Sequence, residues 1–207
     1  MSVVAPRQST ASITGPVPPT SSARNSVRLR GSVKPKLSRQ LQHPHVTLIE
    51  FKSARFLITD QPNPSNIQNF ILACRLHGVN TLVRVCESTY DETLLEAAGI
   101  RVVGLEFEDG APPPDPIVEH WFQLLGEVWH SHPGCCVAVH CKAGLGRAPA
   151  LVAAALIELG MQYDEAIELI RSRRDGALNA RQIQYLEIFR PRKRLRLKSH
   201  ADRCWIL

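Results

Sequence analysis

The first 45 residues of this 207-residue chain contain no Asp or Glu, although they carry seven of its 25 Lys and Arg. They also lack apolar periodicity and are rich in Ser, Pro and Arg. Nothing in them can build a buried face, and residues 1–45 are expected to be a disordered basic extension. An acid-free, Arg- and Ser-rich segment also suits a mitochondrial presequence, but six prolines interrupt any long amphipathic helix there. No apolar run in the chain approaches membrane-spanning length, and no secretory signal is recognisable. Residue 2 is Ser, where N-myristoylation requires Gly. The six cysteines fall at irregular spacing without metal-type pairs, which fits a reducing compartment. Cys135 and Cys136 are adjacent in an expected strand and cannot pair locally without strain.

The net charge of +6 is unevenly distributed. Residues 46–189 hold eleven Lys/Arg against eighteen Asp/Glu, a net of −7, while residues 190–207 hold seven Lys/Arg and one Asp. The high isoelectric point therefore belongs to the two ends, and a basic globular face for nucleic acid is not expected.

What is present between the ends is orderly. Val46–Phe51 and Arg55–Ile58 read as short strands. Ser65 to His77 reads as a helix capped by Ser65 or Asn66 and ended by Gly78. Strands are expected at Thr81–Cys86, Ile100–Phe107 and Cys135–His140, with helices at Asp91–Ala98, Asp115–His130, 147–159, 163–174 and 179–189. This alternation predicts an α/β fold, a central, mainly parallel sheet flanked by helices on both faces. The expected organisation is a disordered extension over 1–45, one catalytic domain over 46–190 and a polybasic tail over 191–207.

The most informative run is Val137-Ala138-Val139-His140-Cys141-Lys142-Ala143-Gly144-Leu145-Gly146-Arg147. An apolar strand delivers a cysteine, a loop with two glycines follows, and an arginine opens a helix. Such a loop curls so that its backbone N–H groups converge, an anion cradle reinforced by the helix N-terminus. The same field activates Cys141 as a nucleophile. Arg147 is suited to hold two oxygens of a phosphate. Residues Lys142, Ala143, Gly144, Leu145, Gly146 and Arg147 are thus the expected phosphate-binding set, and the chemistry is phosphate-ester hydrolysis through a cysteinyl-phosphate. It calls for no metal and no cofactor.

A leaving alkoxide or phenoxide also needs a proton donor. The loop Phe107-Glu108-Asp109-Gly110-Ala111-Pro112-Pro113-Pro114 follows a strand and lies at the same sheet edge. Asp109, before a glycine and a proline run, is the first candidate, and Glu108 is its neighbouring rival.

With these residues in view, the chain resembles the phosphatases of regenerating liver, the prenylated type IVA branch of the dual-specificity protein tyrosine phosphatases. The resemblance runs from about Arg55 to Lys198. It rests on Arg55-Phe56-Leu57-Ile58-Thr59, Val83-Arg84-Val85-Cys86-Glu87, Thr89-Tyr90-Asp91, Glu108 through Pro113, Pro133-Gly134-Cys135-Cys136, and His140 through Pro149. It implies Cys141 as nucleophile, Arg147 as phosphate-binding arginine and Asp109 as general acid. It also implies that Cys86 forms a reversible disulfide with Cys141, protecting the sulfur from irreversible oxidation. Read without the resemblance, Cys86 is a packed strand residue.

Two positions depart from the family. Leu105-Glu106 stands where the flap opens with Trp-Pro, and Lys142 stands where valine is common. Lys142 raises the positive potential and resembles the loops of some inositol-lipid phosphatases; a solvated side chain beside the pocket is the plain alternative. Ala148 agrees with the family. It lacks the hydroxyl that elsewhere eases sulfur departure, and losing that bond (~1.5–3 kcal/mol) slows phosphoenzyme hydrolysis about ten- to a hundredfold.

The C-terminal Cys204-Trp205-Ile206-Leu207 has the form of a prenylation box, with a final Leu favouring geranylgeranyl on Cys204. Arg190, Arg192, Lys193, Arg194, Arg196 and Lys198 supply the basic second signal that stable anchoring needs. The expected address is the cytoplasmic face of the plasma membrane and endosomal membranes, on an anionic surface. A nuclear import signal or a solvated tail are the rival readings of the basic run. The expected substrate is a phosphoprotein or, through Lys142, a phospholipid. The resemblance further implies binding to the CBS-pair modules of cyclin M-type magnesium transporters, with hydrolysis incidental. Self-association is left open.

Overall fold

The computed structural model describes residues 44–195 and 197. Five strands, β1 (Thr47–Phe51), β2 (Ala54–Thr59), β3 (Val79–Arg84), β4 (Arg101–Gly104) and β5 (Cys136–His140), form one sheet in the order β1-β2-β5-β3-β4. Among the described residues only the β1–β2 pair is antiparallel; β2, β5, β3 and β4 run parallel. The helices are α1 (Ile67–Leu76), α2 (Thr93–Ala97), α3 (Asp115–Ser131), α4 (Arg147–Glu158), α5 (Tyr163–Arg173) and α6 (Ala180–Ile188). This is the α/β architecture the alternation predicts.

The strand side chains divide with period two between two cores. Phe56, Ile58, Val83, Val137 and Val139 face α3, α4, α5 and α6. Leu57, Leu82, Cys136 and Ala138 face the other way, against α1 and the Leu95 of α2. Every residue of the central strand β5 is buried, as a strand covered on both faces requires. Helix α4 is buried along its whole length, and its run of alanines permits that close approach. The Trp121 indole N–H donates to Leu151 O at 2.9 Å, so α3 is fixed against the middle of α4.

Two strands differ from the sequence expectation in a way that shapes the site. β3 ends at Arg84 rather than Cys86, although Val85 N still donates to His140 O at 3.0 Å. β4 ends at Gly104 rather than Phe107 because its partner ends there; Leu105 N to Arg84 O, 2.8 Å, is the last rung. Beyond it the chain leaves the sheet and becomes the acidic flap.

Residues after α6 do not all leave the protein surface. Glu158, at the C-terminal end of α4, accepts from the backbone N–H of Arg192 at 3.1 Å and of Arg194, and from the Arg194 guanidinium at 3.1 Å. Burial opposes the Glu158 charge, but these donors outweigh it and hold its pKa below the usual carboxylate value. The Arg194 guanidinium also lies 4.6 Å from the centre of the Phe122 ring, and Leu195 enters the main core. Arg194 is therefore occupied within the fold. Arg196, Lys198 and the Cys204 box lie outside the described residues.

Candidate active site

The Cys141–Arg147 loop starts at the carboxyl end of β5 and ends on the first residue of α4. The carbonyls of six consecutive residues point away from its centre, each against a donor. Cys141 O lies 3.3 Å from His140 Nδ1. Lys142 O accepts from Gln61 N at 3.0 Å, Leu145 O from Leu178 N at 2.8 Å and Gly146 O from Ala150 N at 3.0 Å. Arg174 takes the two between, with Nη2 to Ala143 O at 2.9 Å and Nε to Gly144 O at 2.6 Å. Among the described residues, no backbone N–H from Lys142 to Gly146 donates to a protein acceptor. Carbonyls tied outward leave the amides directed inward, and with the α4 N-terminus they form a concave set of donors for an anion.

Gly144 makes the curl possible. Its φ is +67°, and a Cβ there would collide with the Arg174 guanidinium and Thr59 O. Arg174 is itself buried and has no carboxylate partner among the described residues; its Nη1 bonds His45 O and Thr47 Oγ1, each at 3.0 Å. Burial lowers its pKa, and the nearby Asp60 and Cys141 act in the opposite sense. A buried, unpaired positive charge thus stands behind the loop.

Cys141 is buried at the start of the loop. Arg147, 2 % exposed, donates from Nη1 to Phe107 O at 3.0 Å, and its Nε lies 3.1 Å from Asp109 Oδ1. The second contact is an ion pair rather than an aligned hydrogen bond, so the Arg147 Nε–H keeps its donor capacity. The structure therefore brings Cys141, the loop, Arg147 and Asp109 to one place. Glu108 is exposed and forms no ion pair among the described residues. Lys142, Ala143 and Leu145 are exposed at the rim.

Cys86 is fully buried, and burial is the main cause that pushes its thiol up to about 11. Arg84 is paired with His140 in the β3–β5 register, so Cys86 leaves the sheet at the edge where Cys141 emerges. Both are free thiols. The His140 ring has its Nδ1 4.0 Å from Cys86 Sγ and its Nε2 2.8 Å from the Tyr90 hydroxyl. Burial drives its pKa down to about 4, so the ring is neutral and able to donate from Nδ1 to Cys141 O while accepting from Tyr90.

The flap is held from α6. Asn179 Nδ2 donates to Gly110 O at 2.9 Å and the buried Gln182 amide to Ala111 O at 3.1 Å. The same two residues form the capping box of α6. Gln61, Arg174, Asn179 and Gln182 escape the sequence reading, which names His140 in the motif but gives it no role. Of these only Asn179-x-x-Gln182 has a readable signal, the capping-box spacing.

Three comparisons bear on this arrangement. A family model described as "Polymorphic toxin system, DSP-PTPase phosphatase" matches residues 59–161. The protein tyrosine phosphatase type IVA 3 of Mus musculus is 49% identical over 171 residues, covering 81% of this chain and 99% of that protein. The PRL-1 phosphatase of Drosophila melanogaster is 49% identical over 162 residues, covering 78% and 92%. A solved protein tyrosine phosphatase from Leishmania major superposes with a TM-score of 0.64 at 40% identity, over 70% of this chain and 99% of that one. Relatives this similar over nearly their whole length place the chain, with its cysteine–arginine loop, in the protein tyrosine phosphatase type IVA family of dual-specificity-type phosphatases.

Proposed function

We propose that the unit over residues 46–190 hydrolyses phosphate monoesters of phosphoproteins through a phosphocysteine. The observation that carries this reading is the loop from Cys141 to Arg147, its carbonyls tied outward and its amides left to the centre. The Cys141 sulfur attacks phosphorus as a thiolate, and the bond to the leaving oxygen breaks. The Asp109 carboxyl gives that oxygen its proton, and the Arg147 guanidinium and loop amides carry the charge on the equatorial oxygens. Water then attacks the phosphocysteine, Asp109 takes its proton, and the sulfur departs. Both side chains are exposed, but Asp109 pairs with Arg147 at 3.1 Å whereas Glu108 forms no ion pair among the described residues, which favours Asp109 as the acid.

Ala148, buried and without a hydroxyl, offers the departing sulfur no hydrogen bond, so the second step is slow. A long-lived phosphocysteine supports a second reading in which pocket and flap hold a protein partner, the CBS-pair modules of magnesium transporters being the expected class. The exposed Lys142 on the rim supports activity on inositol lipids. Cys86 closes a disulfide with Cys141 under oxidation, a reading supported by their shared sheet edge. Prenylation at Cys204 with the basic tail tethers the protein to anionic membranes; among the described residues no helix is long and apolar enough to cross one.

Steady-state hydrolysis of a phosphotyrosine peptide tests the assignment. Cys141→Ser is expected to lower kcat by at least about a thousandfold, and Arg147→Lys by about a hundredfold as the two-pronged grip is lost. Hydrolysis that persists in Cys141→Ser would refute the covalent route.

A further inference from the structure

The flap carrying Asp109 has an anchor of its own. Leu105 is buried in the main core and its N–H completes the ladder to Arg84 O. The next side chain, Glu106, forms an ion pair with the guanidinium of the same Arg84. Arg84 is 9 % exposed and further engaged: Nε donates to Glu92 Oε1 at 2.9 Å and Nη1 to Cys86 O at 2.5 Å. Burial works against its charge, but the hydrogen bonds to Glu106 and Glu92 outweigh it and raise its pKa above the ordinary arginine value. Its seat is shaped as well. A Cβ on Gly104 would stand 3.2 Å from Arg84 Nη2, so the strand ends in a glycine where the guanidinium crosses it.

These contacts make the first turn of the flap rigid on one side. Arg147 holds Phe107 O, while Asn179 and Gln182 hold Gly110 and Ala111. Asp109 lies between the two supports. The Glu106 side chain is 49 % exposed, whereas that of its partner Arg84 is 11 % exposed. Removing the Glu106 carboxylate frees the flap at its root without opening the core.

We propose that the Glu106–Arg84 pair is a latch that positions Asp109 for proton transfer, which makes Glu106 a positioning residue for the reaction. The latch rests on the assignment of Asp109 as the acid. General-acid help matters when the leaving group is a poor one and little when it is good, so the latch has a signature that a merely structural role lacks.

The test is the rapid-quench rate of phosphoenzyme formation with phenyl phosphate, a poor leaving group, and 4-nitrophenyl phosphate, a good one. Glu106→Ala is expected to slow the phenyl phosphate step about tenfold, with the 4-nitrophenyl phosphate step and the substrate concentration at half-saturation within about twofold. Glu106→Gln, which keeps an acceptor for Arg84, falls between. Asp109→Asn is the reference and must show the same selectivity more strongly. Equal slowing of both substrates by Glu106→Ala, or none, beside a selective Asp109→Asn overturns the latch alone. An unselective Asp109→Asn overturns the acid assignment and the latch with it.

Discussion

Arg174→Met is expected to lower kcat/KM by about a hundredfold or more and to destabilise the protein by about 2–4 kcal/mol. The side chain touches no substrate in the proposed reaction. Its Nε and Nη2 hold Gly144 O and Ala143 O, and its Nη1 holds His45 O and Thr47 Oγ1. Methionine fills the space but leaves these buried acceptors without donors, each a loss of about 1–3 kcal/mol, partly offset because no charge is then buried. With its two central carbonyls released, the loop is free to turn amides away from the phosphate. Arg174→Lys keeps the charge yet cannot reproduce a planar group that reaches acceptors on four residues, so it recovers stability and activity only in part. Thermal unfolding and initial-rate kinetics on the three proteins check the ranking of wild type, lysine and methionine.

Gly144→Ala is expected to lower kcat/KM by about a hundredfold, because a displacement of about 1 Å in the loop is enough to do so. Two effects act together. The backbone at φ +67° disfavours any Cβ, and the added methyl meets the Arg174 guanidinium and Thr59 O, neither of which is free to retreat. Gly146→Ala is the internal comparison. Its Cβ would stand 3.3 Å from the Gln182 amide nitrogen, a much milder approach than the contacts with Arg174 and Thr59 at Gly144. Tungstate binding followed by calorimetry should weaken strongly for Gly144→Ala and mildly for Gly146→Ala; equal effects would contradict the loop geometry described above.

Much of this was legible before any coordinates. Short apolar strands alternating with helices are local patterns, and they yield the α/β order with small errors in strand length. The cysteine–arginine loop is also local, since seven consecutive residues contain it. What stayed hidden is what acts at a distance. Arg174 lies among several arginines in Arg171-Ser172-Arg173-Arg174, and nothing nearby marks it as the one whose guanidinium is buried behind the loop. Gln61 and Leu178 contribute backbone N–H groups, which every non-proline residue has. Glu106 reads as a departure from the family's flap until the fold sets it beside Arg84. Glu158 closes a helix whose other residues are mostly apolar, and its partner sits in a basic run that by itself reads as a tail. In each case the partner lies twenty or more residues away, and only the folded packing reveals the pairing.

The central claim, a covalent phosphocysteine on Cys141 that outlives its formation, is tested most directly by a rapid-quench reaction of fully reduced protein with a fluorogenic aryl phosphate, the intact mass being read at each time. The account predicts a burst approaching one product per protein, a phosphate adduct that maps to Cys141, and a steady rate about ten- to a hundredfold below the burst. Reduced protein that gives neither burst nor adduct would contradict it.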